Sequence, residues 1–380
     1  MSQQFDVCIR GDGVVGRSLA LLLARERLRV ALVARPPSYG GAVDDKPEDV
    51  RAYALNSASK NLLESLRAWP ESPFVTPVLE MQIWNGDSPA PGQPQADSQL
   101  GFSAQSAAQP ALAWIVDVPA LEQQLSQAVR FQSRIEVVPA PVKAALQVVC
   151  EGQKSSSRNE FGASWTVKPY AQKAIAARLQ SDKPHLGVAR QWFVKGEILA
   201  LLPISGPGGN SVALVWSVSA ERADALQKIS ADEFVAALKT DCGDTPGQLS
   251  LTSERASWPL SLSSADRWVG PGWALAGDAA HTVHPLAGQG LNLGLGDVLA
   301  LAKVIEQREY WRGLGDEKLL RRYERTRKAS VAAMGLVTDG LHGVFAQTDS
   351  RWQALLDLGM KGFARSGPLK SWVMRQATGL

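Results

Sequence analysis

Gly11, Gly13 and Gly16 form a G-x-G-x-x-G series between an apolar run at residues 5–10 and a helical apolar pattern at residues 17–28. Glycines at this spacing allow a tight turn and a close backbone approach to a pyrophosphate. The helix that follows offers free amides and its positive dipole end to the same phosphates. The series alone is a weak signal, because Gly-rich turns occur in unrelated α/β proteins. Between a strand and a helix it points to dinucleotide binding. The second strand of such a unit normally ends in Asp or Glu, which binds an adenosine ribose. Here it ends Val33-Ala34-Arg35, so the pattern supports pyrophosphate binding more than adenosine binding. Arg35 reads either as a phosphate partner or as a solvated loop arginine.

A second constellation lies at residues 273–297, WALAGDAAHTVHPLAGQGLNLGLGD. Asp278 closes a short apolar run, where a carboxylate is costly unless it meets hydrogen-bond donors. The hydroxyls of a polyol, such as a flavin ribityl chain, would be such donors. Gly288, Gln289 and Gly290 precede a long helical pattern, so their amides form a second anion site. A reduced flavin ring carries negative charge that a helix N-terminus stabilises. Pro285 and the glycines keep the backbone slim beside a flat ring. His281 and His284 have H-x-x-H spacing, but no carboxylate or thiolate set completes a metal site, so none is read. His185 and His342 read as surface or packing residues.

The elements that must carry these residues follow from periodicity. Residues 5–34 read as strand, helix, strand, the size of a βαβ unit. Helices are expected at 57–68, 121–129, 231–239, 290–307, 317–334 and 351–359. Strands at 172–180, 189–202 and 211–219 suggest an antiparallel sheet distinct from the first unit. Residue 273 opens a short buried strand. Residues 85–111, rich in Pro, Gly, Ser, Ala and Gln, read as a long surface loop or insertion.

Composition narrows the function. A formal net charge of +3 over 380 residues, without a long basic run, does not suggest nucleic-acid binding. The cysteines, Cys8, Cys150 and Cys242, are too few and too scattered for a disulfide framework or a zinc site. A reducing, cytoplasmic setting is expected. No signal-peptide pattern opens the chain, and no apolar run reaches the roughly 18 to 20 residues that span a bilayer. Membrane contact is therefore expected to be peripheral, at the inner membrane face. Of the 12 tryptophans, most read as core, while Trp192 and Trp216 are candidates for an aromatic substrate pocket.

Together the motifs resemble those of the class A FAD-dependent aromatic monooxygenases, and in particular the ubiquinone-biosynthesis hydroxylase family. Gly277-Asp278 resembles its GD motif, and His284 through Asp297 match HPxxGQGxNxGxxD position for position. Arg51 with Ala54 and Leu55 resembles an R-x-x-AL segment whose arginine approaches the flavin. Tyr170 and Gln172 resemble a Y-x-Q strand. Leu201-Leu202-Pro203 and Val215-Trp216-Ser217 resemble substrate-sheet motifs. Arg322-Tyr323-Glu324-Arg325, Thr338-Asp339-Gly340-Leu341 and Gly367-Pro368-Leu369-Lys370 resemble the C-terminal region. Glu151 to Arg158 keep the spacing of D-G-x-x-S-x-x-R, with Glu for Asp. Val118-Pro119 stand where the family carries Asn-Arg, and residues 137–148 leave little room for its β-hairpin.

The resemblance implies an α/β fold: a Rossmann-like FAD-binding domain, an antiparallel-sheet substrate domain and a helical C-terminal region. The expected boundaries are 1–70, 111–165 and 255–345 for the first, 71–110 and 166–254 for the second, and 346–380 for a helical tail. It implies FAD contacts at Gly11, Gly13, Gly16, Arg51, Glu151, Asp278, Pro285, Gly288, Gln289, Gly290 and Asn292. Pro285 and Gly288 would lie near the flavin ring, and Trp192, Pro203 and Trp216 near substrate. NAD(P)H would reduce the flavin, and a flavin C4a-hydroperoxide formed with O2 would hydroxylate an aromatic ring. No catalytic side chain is required for that chemistry. A polyprenylated phenol or quinone precursor is the implied substrate. Two other readings stand beside it: hydroxylation of a different aromatic compound, and a binding or assembly component without turnover.

Overall fold

The computed structural model describes residues 5–34, 49–85, 100–283 and 289–345. In chain order, β1 (Phe5–Arg10), α1 (Val14–Arg25) and β2 (Val30–Val33) form the first unit. Then come β3 (Ala52–Leu55), α2 (Ser57–Ser65), β4 (Val75–Val78), β5 (Glu80–Asn85), β6 (Leu100–Ser103) and β7 (Ala113–Asp117). They lead to α3 (Val118–Arg130), β8 (Ile135–Val138), β9 (Ala144–Val149) and a short α4 (Ser157–Glu160). A run of long strands follows: β10 (Trp165–Ser181), β11 (Val188–Val194), β12 (Glu197–Ile204) and β13 (Ser211–Ser219). After α5 (Ala220–Leu226) and α6 (Ala231–Cys242) come β14 (Leu249–Leu251), β15 (Ala256–Ala265), β16 (Val269–Gly270) and β17 (Trp273–Leu275). A single turn at Gly277–Ala279, β18 (His281–Thr282), α7 (Gln289–Glu306) and α8 (Glu317–Phe345) end the described chain.

Three sheets result. The first runs β16-β17-β9-β1-β2-β8, and its five strands from β17 to β8 are mutually parallel. The middle of its central strands is apolar, as a sheet covered on both faces requires; Val7, Cys8 and Ile9 are all fully buried. One cover is α1, which meets α3 and α7. The other includes the five-residue link 139–143, whose Val142 packs on Cys8, Ala31 and Val138. So short a link has no room for a hairpin.

The second sheet runs β18-β15-β10-β13-β12-β11-β5-β6, with β14 beside β10, and apart from the parallel β11–β5 pair it is antiparallel. Side chains alternate across it. Ile175, Trp192, Leu201, Leu214 and Trp216 face α5 and α6, where Phe234 and Leu238 seal a second core. Leu202, Ile204 and Ala213 face the other way, onto the small sheet β3-β7-β4 through Val78 and Ile115. The two large sheets are tied at β18, which follows the parallel sheet's β17 and pairs with β15.

Several elements differ from the periodicity. The first helix begins at Val14 because Gly13 is its N-cap, and it closes where Arg27 turns left-handed (φ 63) and Leu28 N–H reaches Leu23 O. Residues 189–202 form two strands, since Lys195 and Gly196 both take positive φ and turn the chain back. An apolar run with a Lys-Gly turn lacks the usual Asn-Gly signal. Residues 100–103, expected in a loop, pair with β5 instead. The final described helix continues past Met334 to Phe345. The expected helix at 351–359 and tail at 346–380 lie outside the described residues. Among those that are described, no helix is long and apolar enough to cross a membrane.

Candidate functional site

The carboxyl ends of β17, β9, β1 and β2 lie side by side in the parallel sheet. Asp278 follows the first, Glu151 the second, Gly11 the third and Ala34 the fourth. Residues far apart in sequence are thus brought to one edge, where open parallel sheets bind ligands.

Steric room at this edge sorts the glycines. Gly11 has φ +107, and a Cβ there would meet Cys150 O at 2.6 Å. A Cβ on Gly16 would overlap the carbonyl of Gly11, so this glycine lets α1 press onto β1. Gly294 of α7 would meet Val15 at 2.9 Å, so α7 packs closely against α1. Gly13 and Gly290 have nothing within 4 Å of such a Cβ. Gly13 also caps α1 without a side-chain hydrogen bond, and no acidic residue lies in the first turn. The first-turn amides therefore carry no side-chain cap, with a chemistry that suits an anion.

Asp278 sits on the turn after β17, exposed rather than enclosed in a strand. It has no hydrogen-bond or ion-pair partner among the described residues, yet protein surrounds it and pushes its carboxyl above the usual range. His281 and Arg51 oppose that shift and Asp297 adds to it. Exposure and a surrounded position agree if the carboxylate looks into a crevice with water on one side. Arg51 and Tyr53 share this crevice, since both interact electrostatically with Asp278 or with each other. Arg51 is pinned by Asp49 (Nη2–Oδ2 2.5 Å) and lies 3.4 Å from Tyr53 Oη. The hydrogen bond to Asp49 raises the Arg51 pKa further. Burial opposes ionisation of Asp49, but the bonds from Arg51 outweigh it and hold the carboxyl below the usual range.

Beneath the turn lies a buried ionic cluster. Asp297 of α7 is fully buried; its Oδ2 accepts from Gly277 N (2.8 Å) and meets His281 Nε2 (2.7 Å), and its Oδ1 accepts from Arg327 Nε (2.7 Å). Arg327 also donates to Leu293 O at 3.0 Å. Burial opposes the charge on Asp297, but His281 and then Arg327 bring its carboxyl below the usual range. Gly277 precedes Asp278, so the cluster fixes the carboxylate's backbone. Asn292, one turn earlier, donates to Ala54 O and accepts from Asn56 N and Ser59 Oγ. It fastens α7 to the segment that follows Arg51, and its amide also reaches Gln289 Oε1 at 3.3 Å.

Other expected contacts are placed differently. Glu151 is at the sheet edge, but its carboxylate accepts from the hydroxyls of Ser155 and Ser157, both at 2.7 Å. It closes its own loop. Arg158 donates to Gln153 O and Ala279 O and stacks 3.8 Å over Trp165. Val118-Pro119 open α3, whose N-cap Asp117 also pairs with Arg178 at 2.5 Å. Trp192 and Trp216 lie on the sheet face covered by α6, stacked on Trp84 and edge-on to Phe234. Pro203, in register with Val212, shares that face. The alternation of the strand turns all three away from β3 and the crevice, against the substrate role expected of them. His284, Pro285 and Gly288 lie outside the described residues.

Arg327 and Arg178 are the functional neighbours that sequence reading missed. Arg327 is 30 residues from Asp297 and Arg178 61 from Asp117, and no spacing rule links such pairs. The only signal was that a buried carboxylate such as Asp297 needs a cation.

The chain matches the FAD binding domain family over residues 92–336. It is 30% identical to ubiquinone hydroxylase UbiL of Rhodospirillum rubrum, over 98% of this chain and 89% of that protein. It is 28% identical to the 3-demethoxyubiquinol 3-hydroxylase of Escherichia coli over the full length of both. Its fold is shared with pqsL, a probable FAD-dependent monooxygenase from Pseudomonas aeruginosa, at TM-score 0.74 and 20% identity, covering 93% of this chain and all of that one. It is shared also with Klebsiella pneumoniae HpxO complexed with FAD, at TM-score 0.70 and 14% identity, covering 99% and 98%. Open amides at a Gly-rich turn, an unpaired carboxylate and these matches over most of the chain converge: the protein belongs to the FAD binding domain family and is an FAD-dependent monooxygenase of class A.

Proposed function

We propose that the protein hydroxylates a polyprenylated phenol or quinone precursor of ubiquinone biosynthesis, using NAD(P)H and O2. The observation that carries this reading is the convergence of Gly11, Gly13, Gly16, Arg51 and Asp278 on one crevice, in a chain similar to ubiquinone hydroxylases over nearly its whole length. Gly11 and Gly16 shape the turn, and the amides after Gly13 hold the FAD pyrophosphate. Asp278 accepts hydrogen bonds from the ribityl hydroxyls. Gln289, Gly290 and Asn292 position the start of α7 near the ring, with Pro285 and Gly288 preceding it. Glu151 orders its loop rather than touching the cofactor. Bound FAD supplies the redox chemistry and oxygen activation; the protein orients the ring and excludes water.

The substrate wall is the sheet face opposite α6. Ala174, Ala176, Ala200, Val215 and Ser217 occupy it, and their small size leaves room for a flat ring. Arg178 on the same face donates to Asp49 O, which joins that wall to the Arg51 segment. The tail of a prenylated substrate would extend toward a membrane or partner protein, and residues 366–380, with Trp372, Val373 and Met374 between Lys370 and Arg375, would make a peripheral contact. A deletion strain tests the function: a hydroxylase of this pathway leaves an under-hydroxylated, prenylated quinone precursor. An unchanged quinone pool would turn the reading toward another aromatic substrate.

A further inference from the structure

A second cavity lies on the other side of the large sheet. Its volume is about 290 Å³, and Arg190 and Lys183 line it with Leu201 and Val212. Arg190 is on β11 in register with Leu201 of β12, so it shares the face of Trp192 and not that of the substrate wall. Its Nε is buried without a hydrogen-bond partner. Glu80, the counter-charge it feels, is held by the Gln82 amide at 2.9 Å and forms no ion pair with it among the described residues. Lys183, exposed at the rim, has no ion pair among them either.

The other polar groups are already satisfied. His185 Nε2 donates to Ile204 O at 2.9 Å, which leaves Nδ1 to accept from Gly187 N at 3.0 Å. Burial lowers the imidazole pKa, in keeping with this neutral form. Ser181 Oγ donates to Pro246 O at 2.6 Å. Thr245 also has a partner, so two cations remain beside the apolar Pro184, Leu186, Leu201 and Val212. A partly buried guanidinium with an orphan donor is costly to keep. A planar carboxylate matches its fork geometry, and an apolar body matches Leu201 and Val212.

We propose that this cavity binds a small organic carboxylate with an apolar body, through Arg190 with Lys183 at the rim. The site is separate from the flavin crevice, because the sheet lies between them.

The FAD-loaded protein would be titrated with benzoate and with inorganic phosphate by calorimetry, with the flavin spectrum recorded in parallel. Benzoate should bind saturably and more tightly than phosphate. Arg190→Met should weaken benzoate by about tenfold or more, the loss of a charge-assisted hydrogen bond. Lys183→Glu, at an exposed position that cannot disturb the core, should weaken it by about threefold or more. Flavin content and spectrum should stay as in the parent protein. No benzoate binding, phosphate binding as tight as benzoate, or a benzoate affinity unchanged by Lys183→Glu would each overturn the proposal. So would an unchanged affinity in a folded Arg190→Met protein, which would place the benzoate in the flavin crevice.

Discussion

Replacing Asp297 by Asn tests how the turn that carries Asp278 is held. The carboxylate is fully buried and balances Arg327 at 2.7 Å while accepting from Gly277 N. Asn keeps an acceptor and nearly the same volume but removes the charge, leaving the guanidinium buried without its counter-ion. Removing one member of a buried pair costs about 3–5 kcal/mol. That is a large share of the roughly 5–15 kcal/mol that holds a typical domain. Urea unfolding of the apoprotein measures it, and flavin absorbance per chain measures the consequence for the turn. Adding Arg327→Met should recover about 1–3 kcal/mol of the loss, because the orphaned cation is then gone. A loss below about 1 kcal/mol, or a double variant no better than the sum of the singles, would refute the reasoning. The pH dependence has a definite sign. The folded pKa of Asp297 is depressed, so its contribution is present above the unfolded value near ~4 and is lost only as pH falls through the lower folded value. The parent protein should keep this contribution at neutral pH and lose it in acid, and Asp297→Asn should lack that acid limb.

Gly13→Ala and Gly16→Ala should separate binding from folding. The first methyl enters open space and should lower FAD occupancy while leaving apoprotein stability almost unchanged; the second overlaps the Gly11 carbonyl and should cost about 1–3 kcal/mol or more by overpacking, read by urea unfolding. Asp278→Asn should reduce flavin per chain without destabilising the apoprotein, because the carboxyl is unpaired and its charge is disfavoured. Glu151→Ala should retain more flavin than that and instead loosen the Ser155–Ser157 loop, seen as faster amide exchange there. Purified protein should oxidise NAD(P)H faster with a prenylated phenol than with its tail-less analogue; equal rates would remove tail recognition.

The sequence determined the first βαβ unit and the cofactor class, because their signals are local. A strand, three glycines and a helix must be contiguous to cradle a pyrophosphate, so Gly11, Gly13 and Gly16 are legible as text. The same holds for the run from Asp278 to Asp297, whose motif is contiguous in sequence. Tertiary structure decided what depends on facing and on distance. Trp192 and Trp216 read as pocket residues until β11 and β13 turned them toward α6, a choice made by one residue of strand phase. That the Ser155 and Ser157 hydroxyls both bond the Glu151 carboxylate was likewise not legible before its loop closed. Arg327 carried no signal of its own, since it meets Asp297 only when α8 packs on α7. Local spacing specifies a turn, but which buried charge meets which is settled only when separate elements close on one another and exclude water from the gap.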